Sequence, residues 1–90
     1  MENYITLFRI VPREDGYHYL CKNCFEQFYL AHKATDNLSP ETLYFANEIV
    51  AQQFIDKYLD RPENELKIYK PELILLCAHL VPESVIEVVE

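Results

Sequence analysis

The stretch YHYLCKNCFEQFYLAH, residues 17–32, admits two tracings, and the choice between them decides the architecture of the chain. Tyr17-His18-Tyr19-Leu20 has the aromatic-rich composition of a strand. From Cys21 onward the pattern changes, because Cys21, Cys24, Phe25, Phe28 and His32 recur at mostly three- and four-residue spacing. That period predicts a helix over about 22–33, and a strand through Phe28-Tyr29-Leu30-Ala31 competes with it.

Upstream, Tyr4–Val11 is dense in β-branched and aromatic residues and stops at Pro12, which cannot donate to a ladder, so it reads as a first strand. Arg13-Glu14-Asp15-Gly16 supplies a turn whose Asp-Gly pair tolerates positive φ, and the strand composition then resumes at Tyr17. An opening β-hairpin is the reading.

Downstream, Thr35–Pro40 is loop chemistry and Thr42–Phe45 a short strand. Asn47–Asp60 is the clearest helix. Asn47 is its N-cap, Glu48 favours the positive end of the dipole, and Val50, Ala51, Phe54, Ile55 and Tyr58 line one face. Arg61 precedes Pro62 and ends it. Leu66–Tyr69 is a strand candidate. Pro71-Glu72 resembles a helix start, followed by Leu73, Leu76, Cys77 and Leu80 at helical spacing, and Val85–Val89 reads as a closing strand.

Ninety residues without a repeat or linker predict a single domain over 1–90. The expected fold is α+β: a small antiparallel sheet opened by a β-hairpin, packed against one main helix (about 47–60) and one or two shorter helices.

Composition removes several chemistries. The only glycine, Gly16, leaves no phosphate-cradling loop, and neither Ser39 nor Ser84 lies in a G-x-S-x-G turn. A formal charge of −7 opposes direct binding to nucleic acid and to anionic membranes, and favours a basic protein surface. No apolar run approaches the length of a bilayer helix, the N-terminal residues carry no secretory pattern, and three cysteines fit a reducing compartment, so the expected location is cytoplasmic.

Cys21 and Cys24 have the spacing of half a zinc knuckle, since two thiolates from C-x-x-C can take two tetrahedral corners. His18, His32, Cys77 and His79 are the available completers. None forms a second C-x-x-C or H-x3-H pair, and a helical 71–80 would point Cys77 and His79 apart. Cysteine is also among the most often buried residue types, and the reading of two buried thiols stands ahead of the metal. The three histidines read as structural residues rather than bases. No enzyme is expected.

A surface argument remains. The face of the 47–60 helix opposite the core carries Glu48, Ile49, Gln52, Asp56, Leu59 and Asp60, which mixes acids with aliphatics in the way a protein-binding face does. Seven tyrosines without tryptophan add residues common at contact surfaces, with Tyr17 and Tyr19 expected on one hairpin face. In size, acidity and lack of catalytic constellations the chain is similar to small phage or mobile-element inhibitors, anti-CRISPR and DNA-mimic proteins among them. That likeness is one of profile, carried by no motif.

The expectation is a small acidic, non-enzymatic protein-binding domain, an inhibitor or regulator of a basic nucleic-acid-handling protein. It needs no cofactor, and it is compatible with a homodimer. Asp56→Lys or Asp60→Lys should weaken the binding. The alternative is a small zinc-binding domain organised by Cys21 and Cys24.

Overall fold

The computed structural model describes residues 3–36, 39–59, 68–80 and 82–90. Along the chain come β1 (Tyr4–Pro12), β2 (His18–Lys22), β3 (Phe28–His32), a single turn α1 (Lys33–Asp36) and the main helix α2 (Glu48–Phe54). A π-helical turn (Ile55–Leu59), β4 (Tyr69–Cys77) and a 3-10 turn (Ala78–Leu80) follow. The fold is α+β, with two small antiparallel sheets and one main helix.

β1 begins where the composition puts it, but its partner is β4, in a register from Tyr4 opposite Cys77 to Pro12 opposite Tyr69. The segment 71–80, expected as a helix, is therefore extended as far as Cys77. Its apolar side chains fit both periods, and pairing with β1 wins over local spacing. An antiparallel hairpin does form, between β2 and β3, so the turn at 13–16 leads from one sheet into the other. There Asp15 Oδ1 accepts from the Tyr17 amide at 2.7 Å, and Gly16 takes no positive φ.

In the disputed stretch the strand displaces the helix, and Asn23 is the cause. Its Oδ1 accepts from the amides of Phe25 and Gln27, each at 2.9 Å, while its own amide donates to the Gln27 carbonyl at 3.0 Å. A side chain that bonds its own backbone in this way closes a loop rather than extending a helix. Glu26 sits at φ 61 within this loop, in the left-handed region.

Asn47 caps α2 as expected, its Oδ1 accepting from the Val50 amide at 2.9 Å, and Val50, Ala51, Phe54 and Ile55 are buried. Asp60 lies outside the described residues, as do Leu66 and Lys67 of the strand candidate Leu66–Tyr69, whose Tyr69 begins β4. The segment 41–46 links the sheets. Glu41 O accepts from the Lys22 amide at 3.0 Å, and Phe45 exchanges both its backbone groups with Phe8 at 2.8 and 2.9 Å. The closing strand reduces to one bridge at Ile86, parallel to Phe45.

β1 and β4 are covered on both faces for much of their length. Phe8, Ile10 and Tyr69 pack with Val50, Ala51, Phe54 and Ile55 on the helix side. Leu7, Ile74 and Leu76 pack with Tyr44 on the other, where Val11 also meets Tyr19 and Cys21 of β2. The free end of the helix side carries Leu73 and Leu75, both exposed.

Candidate functional site

The expected partner-binding residues divide. Glu48, Ile49 and Asp56 are exposed, with Ile49 showing 70% of its surface. Gln52 is half-buried, and its Nε2 donates to Asp56 Oδ1 at 2.9 Å. Leu59 instead packs against the core beneath the helix, because the π-helical turn rotates the positions after Ile55. The apolar content of that face is thus Ile49 alone among the described residues. Tyr58, expected on the core stripe, is largely exposed. Its ring meets that of Phe54 at a tilt of 45°, 4.8 Å between centroids, and its hydroxyl donates to the Glu90 carbonyl.

The cysteine pair is also split. Cys21 is buried, with Sγ 4.0 Å from Thr42 Oγ1, and burial pushes its thiol up, away from the thiolate. Cys24 lies exposed in the Asn23 loop. Of the other thiol and imidazole groups, His18 and His32 sit opposite one another on β2 and β3, their rings edge-to-face at 4.9 Å. His18 Nδ1 is joined to Asp15 Oδ2. Cys77 ends β4 and His79 lies in the following 3-10 turn, so those two do not share a strand face. Among the described residues no three His, Cys, Asp or Glu side chains gather as a metal-binding set.

Tyr19 is fully buried and Tyr17 exposed, which corrects the expectation of one shared tyrosine face. Tyr19 hydroxyl accepts from the Ser39 amide, and its ring lies under Arg9. Tyr17 stacks on His32 with 6.1 Å between centroids.

Sequence reasoning missed a concavity. An open groove of about 800 Å³ runs between the Asn23 loop, the segment 39–44 and the segment 80–86. Its floor is apolar, made by the buried Tyr44 and Leu76 with Leu43, Leu80 and Ile86 beside them. Among the described residues, Glu26, Glu41 and Glu83 stand around it, against a single cation, Lys22. No histidine lines it among the described residues. Lys22 extends its ammonium over the Phe28 ring at 5.8 Å. Glu41 accepts from the Tyr29 hydroxyl at 2.5 Å, and that bond pushes the Tyr29 phenol up to about 12. No sequence period announces this groove, because its walls come from three segments separated along the chain.

Among the described residues no helix is long and apolar enough to cross a membrane. Compared with protein-family models, with curated proteins and with solved structures, the chain matches none.

Proposed function

We propose that the chain is a small binding protein that takes a basic, partly apolar segment of another protein into the groove of Tyr44 and Leu76, and so acts as an inhibitor or regulator. A nucleic-acid-handling protein is the fitting target, because such proteins present basic segments and this chain carries −7. The observation that carries the reading is the groove itself, an apolar floor with three glutamates and one lysine around it.

Two features add support. Glu72 engages both Arg9 and Lys33, which leaves fourteen acids against six bases over the rest of the chain. Glu26 is held in the left-handed region, and strain of this kind collects where a side chain must be presented. The α2 face keeps Glu48, Ile49 and Asp56 outward, but it is convex and offers one aliphatic. The groove is therefore preferred to it. The zinc reading has two thiols in different surroundings and no further support.

The test uses a short peptide that alternates lysine and leucine, with its glutamate counterpart as control, followed by amide chemical shifts. Shifts at Leu43, Tyr44 and Ile86 that fade as salt rises, and that Glu26→Lys with Glu83→Lys abolishes, support the groove. Equal binding of the acidic peptide sinks the reading. Shifts gathered on Glu48, Ile49 and Asp56 transfer it to the helix.

A further inference from the structure

We infer that the outer edge of β4 is a self-association site, where two copies of the chain pair antiparallel through Leu73, Leu75 and Cys77 about a two-fold axis at Leu75. The inference does not depend on the groove reading. The side chains of Leu73 and Leu75 leave the sheet on the face opposite to Leu76, which floors the groove.

Backbone direction comes first. The amide and carbonyl of Phe8 are both taken by Phe45, at 2.9 and 2.8 Å, so they point away from β4. In an antiparallel pair this direction alternates residue by residue. Ile5, Leu7, Arg9 and Val11 therefore carry the ladder to Leu76, Ile74, Glu72 and Lys70. The residues between them, Pro71, Leu73, Leu75 and Cys77, aim their backbone groups off the sheet. Among the described residues nothing outside the β1–β4 ladder bonds to the backbone of Leu73, Leu75 or Cys77. Pro71 fits the same geometry, since its missing N–H faces outward, where a proline is tolerated.

The side chains beside these groups are bare. Leu73 is 56% exposed and Leu75 64%. An extended edge of this kind is a template for another strand. Such edges are usually blunted by charge, yet Leu73–Leu80 contains no Asp, Glu, Lys or Arg.

Charge and register select the occupant. A basic partner gains nothing from an uncharged edge, whereas two copies at −7 each can approach only where their own charge is absent. Centring the two-fold on Leu75 places Leu75 opposite its counterpart and each Leu73 opposite a Cys77. All three outward residues are then used. A shift toward the start of β4 brings Pro71 into the ladder without a donor, and a shift the other way runs past the strand end. The product is a four-stranded sheet in the order β1-β4-β4-β1, in place of a two-stranded one that is marginal by itself.

Sedimentation equilibrium on the full chain, under reducing conditions and over a range of protein and salt concentrations, tests the site with amide hydrogen exchange. The expected result is a dimer that tightens as salt rises, the opposite sign to capture of a basic segment. Leu73 and Leu75 amides should be protected in the dimer and lose protection on dilution. Leu75→Lys should weaken association by at least about tenfold. Its circular dichroism melt should stay near the parent's, because the side chain is exposed and the amide lies outside the β1 ladder.

A chain that stays monomeric at the highest concentrations overturns the inference. So does a Leu75→Lys dimer as tight as the parent. Amide protection that ignores dilution would show the edge covered within its own chain, and protection that arises only with an added partner protein would assign it elsewhere. Either outcome rejects a second copy as the occupant.

Discussion

Arg9 and Glu72 face each other across the β1–β4 ladder, and the guanidinium Nε donates to Glu72 Oε1 at 2.8 Å while its Cζ lies 4.6 Å from the Tyr19 ring centroid. Glu72 Oε2 accepts from Lys33 Nζ at 2.8 Å. One carboxylate therefore ties β1, β4 and the turn after β3, and it makes an ionic link between the two sheets.

Arg9 is 6% exposed, so removal of Glu72 takes a hydrogen-bonded counter-charge away from a buried guanidinium. Glu72→Ala should cost about 2 to 3 kcal/mol, less than a fully buried pair because Glu72 is partly solvated. Lys33→Ala should cost under about 1 kcal/mol. Urea unfolding checks both. Equal losses for the two variants would show that burial of Arg9 is not what makes the cluster matter.

The same carboxylate sets an acid limb of stability. Burial pushes Glu72 up, but donation from Lys33 and Arg9 together with their charges outweighs it and holds the carboxyl below the ordinary value of 4.5. Asp15 is also held low, by the Tyr17 amide first, with burial opposing and His18 assisting. A depressed folded pKa stabilises above the unfolded value, and that stability is lost as pH falls through the folded one. Thermal melts should therefore be flat from neutral pH to about 5 and fall below the ordinary carboxylate range. Glu72→Gln should flatten that fall. An acid limb identical to the parent's would remove Glu72 from its origin.

Glu26 at φ 61 keeps a charged side chain beside the groove at a conformational cost. Glu26→Gly should leave the fold at least as stable, by up to about 1 kcal/mol, since glycine adopts this region freely. It should also weaken capture of the basic peptide, because one of the three glutamates is gone. A variant that is both less stable and an equal binder contradicts the reading of the loop.

The three thiols differ in reach. Cys24 should react at once with a chromogenic disulfide reagent under native conditions, Cys77 more slowly, and Cys21 only on unfolding, because it is buried and its thiolate disfavoured. Stopped-flow traces of the parent and of Cys24→Ser separate the phases. A fast phase that survives in Cys24→Ser would place another thiol at the surface.

Where one local signal acted alone, the sequence was readable. Asn47 followed by Glu48 and a stripe from Val50 to Ile55 has one interpretation, and α2 begins there with the cap in place. Tyr4–Val11 likewise. Leu73-Ile74-Leu75-Leu76 fits both periods because the strand is apolar on both faces, so the winning term is a partner 60 or more residues away. The β2–β3 loop hid for a different reason: its left-handed position is filled by Glu26, not by glycine, and its organiser is a single asparagine. Of the site, Glu48, Ile49 and Asp56 were legible as exposed helix positions, whereas Leu59 was not, because a π-helical turn shifts the wheel on which it was placed. The groove was out of reach of any pattern, being a product of tertiary assembly.

One side of that groove hangs from little. Among the described residues, the segment holding Glu83 and Ile86 has two backbone bonds to the rest of the fold, Ala46 to the Ile86 carbonyl and Ile86 to the Tyr44 carbonyl, both 2.9 Å, beside the packing of Val85, Ile86 and Val89 and the Tyr58 hydroxyl on Glu90. Local opening follows the fewest contacts. On the proposed reading, a segment seated in the groove would add contacts to a wall that two backbone bonds hold among the described residues.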